Sequence, residues 1–163
     1  MKNVETQKLR QWLESCLAVP RWIDGVIARG PFTSAADLLL AAREEATPLS
    51  PHEIDQALAG HPRIGEKAAG SSQASEFSRG EQKALGAHDQ ALAEAIAEGN
   101  RAYEQRFGRI FLIRAAGRSH TEILNELDRR LQLDDDAELT TVANELRDIA
   151  LLRLARLAAR ASE

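Results

Sequence analysis

The sequence is short of several things, and each shortage removes a class of protein. It holds one cysteine, Cys16, in 163 residues. No disulfide can close within the chain, which fits a reducing compartment and makes a cytoplasmic location the default expectation. Cys16 falls in an apolar pattern with Trp12, Leu13 and Leu17, the setting of a core filler rather than a nucleophile. No run approaches the roughly 18 uncharged apolar residues that a membrane span needs. The opening MKNVETQKLR lacks the apolar stretch of a secretory signal, and the closing ASE is not a peroxisomal tripeptide. Positive charge is not in excess. The formal net charge is -4, whereas a nucleic-acid binder shows a basic face. Also missing are G-x-S-x-G, a Walker loop and G-x-G-x-x-G. No two of the four histidines stand at a metal-ligand spacing. Neither a metal nor another cofactor is expected.

Aromatic residues are scarce as well, at 4%. What fills the chain is Ala, Leu, Glu and Arg, a mixture that favours helices over strands. Hydrophobic residues at 44% and charged residues at 28% describe a globular chain with room for a core.

Helical periodicity runs through most of the sequence. Val4, Leu9, Trp12, Leu13, Cys16 and Leu17 recur mostly at spacings of three and four. Pro20 breaks that stripe, and Trp22, Ile23, Val26 and Ile27 begin another that ends at Gly30-Pro31. Ser34 can cap a helix from Ala35 to about Glu45. Ser50-Pro51-His52-Glu53 spells a capping box with proline at the first helical position, opening a helix that ends near Gly60. Residues 79–106 read as one long helix through Leu85, Leu92, Ile96 and Tyr103; Gly99-Asn100 could bend it but is not read as a break. Phe107-Gly108 ends it. A short apolar run, Phe111 to Ile113, then precedes Gly117. Ser119 and Glu122 spell a second capping box before a helix to about Leu133. Asp134-Asp135-Asp136 reads as a solvated turn at a helix start. The last helix, from about Asp136 to Arg160, carries Leu139, Val142, Leu146, Ile149, Leu152 and Leu157 on its buried side. With no linker and no internal repeat, the expectation is an all-α, single-domain bundle of about eight helices over residues 1–163.

The segment from His61 to Gln82, HPRIGEKAAGSSQASEFSRGEQ, stands apart. It is long, rich in Gly, Ser and Ala, and lies between helical patterns, where a stretch without structure of its own carries function or is disordered. His61 can exchange a proton near neutral pH, and Pro62 restricts its backbone. It can equally cap a helix end. Ser78, Glu81 and Gln82 spell S-x-x-E-Q, which is both a capping box and a helix N-terminus able to meet an anion. His52, His88 and His120 read as surface or capping residues. Arg106, Arg109, Arg114 and Arg118 cluster around the apolar run, and Arg147, Arg153, Arg156 and Arg160 line the last helix. Any of these could grip a carboxylate.

Three motifs occur in a fixed order. HPRIG begins at His61, S-x-x-E-Q ends twenty-one residues after that histidine, and Y-x-x-R-F-G from Tyr103 precedes the apolar run. In this the chain resembles the OHCU decarboxylases, the 2-oxo-4-hydroxy-4-carboxy-5-ureidoimidazoline decarboxylases of urate breakdown, over nearly its whole length. The resemblance implies an all-helical domain, a homodimer, no cofactor, and decarboxylation of a small-molecule substrate, OHCU, to (S)-allantoin. It makes His61 the proton donor, with Glu81 beside it as a second catalytic residue that holds N–H groups and tunes the histidine. Substrate contacts fall to Pro62, to Ser78, Glu81 and Gln82, and to Phe111, Leu112, Ile113, Arg114 and Ala115. The chain departs from many relatives at Arg109-Ile110 and at Arg114. The departure at Arg114 matters little if that segment binds through its backbone. Two other readings stand beside this one: a non-catalytic helical adaptor that binds a partner helix, and a lyase acting on a related ureido or imidazole compound.

Overall fold

The computed structural model describes residues 5–61 and 90–161. Val4, Pro62, Ser78, Glu81, Gln82, Leu85 and His88 lie outside the described residues, as does the beginning of the helix expected from residue 79. Among the described residues there are seven helices and no strand: α1 (Thr6–Cys16), α2 (Pro20–Ala28), α3 (Ala35–Glu45), α4 (Pro51–Leu58), α5 (Gln90–Phe107), α6 (His120–Arg130) and α7 (Asp135–Ala161). The all-α expectation holds, close to the expected number of helices.

The helix starts follow the local chemistry of the sequence. Ser34 accepts a hydrogen bond from the Asp37 amide at 3.1 Å. Ser50 and Glu53 close a reciprocal capping box, with bonds of 2.8 and 3.2 Å, and Pro51 occupies the first helical position. Pro20 likewise sits at the first position of α2, so it starts that helix, α1 having already ended at Cys16. Ser119 accepts from the Glu122 amide at 3.1 Å, half of the box that the sequence spells. Asp134 accepts from the Ala137 amide at 2.8 Å, so the acidic run caps α7.

The chain divides into two compact units. The first comprises the residues up to Gly60 together with those from Leu146 onward; the second runs from His61 to Glu145. In the first, α1 packs on α2 and α2 on α3. Leu13, Val19, Trp22, Val26, Leu38 and Ala42 are fully buried, and Cys16 is buried among such residues as a core filler. The Trp22 indole N–H donates to the Ala42 carbonyl at 2.9 Å, so its one polar atom is satisfied inside the core.

In the second unit α5 packs on α6. Gly99 lies within α5, which runs on past it without a break. A Cβ at this position would collide with the Leu127 side chain, so the glycine makes room for helix packing. Ile96, Tyr103, Phe111, Ile113, Ile123 and Leu127 form the core here. In α7, Val142, Leu146, Ile149 and Leu157 are buried as expected, but Leu139 and Leu152 are only half-buried. Glu138, Glu145 and Leu154 take buried positions instead.

Candidate active site

His61 follows the last turn of α4, where the Gly60 amide bonds the Ala57 carbonyl at 3.4 Å, and is half-buried. Its expected companions Pro62, Ser78, Glu81 and Gln82 lie outside the described residues. The remaining expected contacts, Phe111 to Ala115, form a non-helical segment between α5 and α6. Phe111, Leu112, Ile113 and Ala115 are buried and Arg114 is half-buried.

A buried stretch without helix or strand must find other partners for its backbone. Here the partners are charged side chains. Arg130 is fully buried, and its Nη1 donates to the Leu112 carbonyl at 2.7 Å. The Arg130 Nε donates to both oxygens of Glu138, at 2.8 and 3.1 Å, and its Nη2 bonds the same carboxylate. The Tyr103 hydroxyl donates to Glu138 at 2.6 Å. The guanidinium also lies 4.7 Å from the centre of the Phe111 ring, which meets Tyr103 edge-on at 5.3 Å. Burial, then the bond to Glu138, pushes the Tyr103 phenol well above its ordinary range, so it stays a neutral donor.

The other end of the segment is held by Glu145. Its Oε2 accepts the Arg114 amide and its Oε1 accepts Arg118 Nη2, each at 3.2 Å. The Arg118 amide closes a turn onto the Ala115 carbonyl at 3.1 Å. Gly117, at φ 79°, supplies the left-handed residue that a type II turn needs in third place. Among the described residues, the amides of Ile113 and Ala115 reach no acceptor, although both residues are buried. Buried amides of this kind call for a partner, and they are chemically suited to the carbonyl oxygens of a small polar molecule.

The arginine cluster sorts itself by partner. Arg106 donates to the Leu133 carbonyl at 2.7 Å and Arg118 is paired with Glu145. Arg109 lies over the Phe107 ring at 5.6 Å, with buried Nε and Nη2 atoms that reach no acceptor. The buried Arg114 Nε also reaches none. Among the described residues no cluster of three or more His, Cys, Asp or Glu could hold a metal ion, and no helix is long and apolar enough to cross a membrane.

Arg130, Glu138 and Glu145 were not among the residues singled out from the sequence. Their signal is positional. Arg130 continues the stripe of Ile123 and Leu127, while Glu138 and Glu145 share one with Val142 and Ile149, so charges occupy apolar-stripe positions.

Comparison with known proteins agrees with this picture. The OHCU decarboxylase family model matches residues 2–155. The uric acid degradation bifunctional protein TTL of Arabidopsis thaliana is 34% identical over 132 residues, covering 78% of this chain and 40% of its own length. The chain thus spans about two fifths of that curated relative. Among solved structures, an OHCU decarboxylase determined in the presence of (S)-allantoin matches with a TM-score of 0.76 at 26% identity, covering 92% of this chain and 98% of that one. An (S)-allantoin synthase matches with a TM-score of 0.62 at 16% identity, covering 93% of this chain and 50% of that one, a likeness of fold alone. With the family model aligned along nearly its entire length, this chain belongs to the OHCU decarboxylase family.

Proposed function

We propose that this chain, as a single OHCU decarboxylase-like domain, catalyses the cofactor-independent decarboxylation of 2-oxo-4-hydroxy-4-carboxy-5-ureidoimidazoline to (S)-allantoin in urate breakdown. It would do so as a cytoplasmic homodimer. The observation that carries the reading is the buried segment 111–115, whose amides at Ile113 and Ala115 reach no acceptor among the described residues, in a chain of this family. Membership of the family and the likeness to an OHCU decarboxylase solved with (S)-allantoin support the choice of substrate and product.

The reaction breaks the bond between the ring carbon and the carboxylate. Carbon dioxide leaves, the electron pair enters the conjugated C=N and carbonyl system, and a proton must then reach one face of the ring. The substrate itself is the electron sink, so the work left to the protein is orientation, charge stabilisation and delivery of that proton. His61 is the proposed proton donor, held by the backbone restriction that Pro62 imposes. Glu81 accepts ureido or ring N–H groups and helps to set the charge state of His61. Ser78, Gln82 and the amides of the 111–115 segment hold the carbonyl oxygens. The substrate also decarboxylates unaided, so much of the enzyme's task is stereochemical: one donor presented to one face.

The test is to add freshly made OHCU and follow circular dichroism as optically active allantoin appears. The wild type should accelerate the signal. Folded His61→Ala should lose about a hundredfold or more of the rate, as expected for removal of a positioned acid. A His61→Ala protein with most of the wild-type rate would remove this histidine from the mechanism.

A further inference from the structure

The decarboxylase reading leaves Glu145 without a role. This carboxylate is buried on the inner face of α7, seven residues beyond Glu138, so two helical turns place both on one side of the helix. Through Arg130, Glu138 fixes the Leu112 carbonyl; Glu145 fixes the Arg114 amide directly. Two positions of the substrate segment, 112 and 114, are therefore tied to a single rigid element. The Arg114 amide is the one that the protein uses for itself. It lies between the open amides of Ile113 and Ala115.

We propose that Glu145 is a positioning residue for substrate binding: by holding the Arg114 amide and Arg118 together, it sets the direction of the flanking amides. The inference rests on the decarboxylase reading above. Geometry supports it in three ways. The two oxygens of Glu145 divide their work, one to each side of the turn formed by residues 115–118. Gly117 lets that turn close without strain. A carboxylate with a half-buried guanidinium partner and a backbone donor is held in one place, where a water-exposed side chain would wander.

Length and acceptor chemistry should therefore matter more than charge. Glu145→Gln keeps an oxygen for the Arg114 amide but replaces the oxygen that accepts from Arg118 with an NH2 donor, so it loses both the ion pair and that hydrogen bond. Glu145→Ala removes the acceptor. The experiment measures KM and kcat for OHCU by circular dichroism, with thermal melting on the same preparations. In Glu145→Ala, KM should rise about tenfold, the scale of one buried charge-assisted hydrogen bond. Its kcat should stay within about threefold, since removing an interaction common to ground and transition states acts on KM. Glu145→Gln should recover part of the wild-type KM, because it keeps one of the two bonds. A merely structural role would instead lower the melting temperature and leave the KM of the folded fraction unchanged.

Should Glu145→Ala not fold, Glu145→Asp takes its place. It keeps the charge but withdraws the carboxylate by one methylene, and the same rise in KM is expected. A wild-type KM in whichever of these two variants is used overturns the inference alone. A Glu145→Gln protein as impaired as Glu145→Ala also overturns it, because the bond to the Arg114 amide, which Gln keeps, would then position nothing. A wild type without turnover overturns the decarboxylase reading and takes this inference with it.

Discussion

The two compact units are stabilised in different ways. In the first, helices meet mainly through apolar side chains, with Glu53 and Arg153 the buried charged residues among those described, and the ion pairs Arg21–Glu53, Arg29–Glu44 and Arg10–Asp24 each have at least one partner well exposed to solvent. In the second, the pair Arg130–Glu138 lies wholly inside, with neither side chain exposed. The difference follows from the backbone. Residues within a helix satisfy each other's amides and carbonyls, so a helical interior can be apolar. The second unit buries the non-helical segment 111–115, and charge has gone inside to meet its backbone. Such a segment is also the part of the fold left with groups to offer a ligand.

The largest expected effect breaks that comparison at its centre. Arg130→Met should destabilise the protein by about 3–5 kcal/mol, because it strands Glu138 and leaves the Leu112 carbonyl unbonded. Chemical denaturation would read the loss. Adding Glu138→Leu removes the stranded charge and should restore part of it. Full recovery in the double variant would mean that the carbonyl of Leu112 gains little from Arg130, and the contrast between the units would lose its cause.

A smaller effect is expected at the start of α4. Ser50→Ala removes half of a reciprocal capping box and should cost about 1 kcal/mol. No change in OHCU turnover should accompany it, since Ser50 has no part in the proposed chemistry.

The smallest effect is at Arg21, whose side chain is half exposed. Arg21→Met should cost roughly 0.2–1 kcal/mol near neutral pH. Its pH dependence is the sharper observation. The hydrogen bond from Arg21 is the largest influence holding the Glu53 carboxyl below its ordinary value of 4.5, with the Ser50 bonds also contributing. A depressed folded-state pKa gives stability that is complete above the unfolded value and fades as pH falls through the folded one. Wild type and Arg21→Met should thus differ most above about pH 4.5 and converge below it. A difference that grows on acidification would contradict the pairing.

These contrasts also explain what could be read from the sequence. Ser34, Ser50 and Asp134 announce helix starts because a cap is chemistry within three residues, and each makes its bond. His61 and the 111–115 segment could be named because motifs mark them. The Arg130–Glu138–Tyr103 cluster could not, since its members are eight and 35 residues apart and a charged residue at a helix end reads as solvated. Arg130, in the last turn of α6, looks like an ordinary partner of the helix dipole. The reading of one unbroken helix through Gly99 holds, but the reason for the glycine shows only once the neighbour that needs the space, Leu127, is known. Of the residues expected to bind substrate, the structure describes the 111–115 group, and there the interest lies in backbone atoms, which no side-chain pattern advertises.

The scarcity of aromatic residues gives the molecule a pair of separate optical signals. Both tryptophans, Trp12 and Trp22, are buried in the first unit, and the single tyrosine, Tyr103, is buried in the second. Indole fluorescence therefore reports on one unit and phenol absorbance on the other. Because the folded state suppresses ionisation of Tyr103, the ultraviolet band of phenolate should stay absent as pH rises past the ordinary tyrosine value of 10, and then appear when the second unit opens. Recording both signals during one alkaline titration would show whether the two units unfold together or in turn.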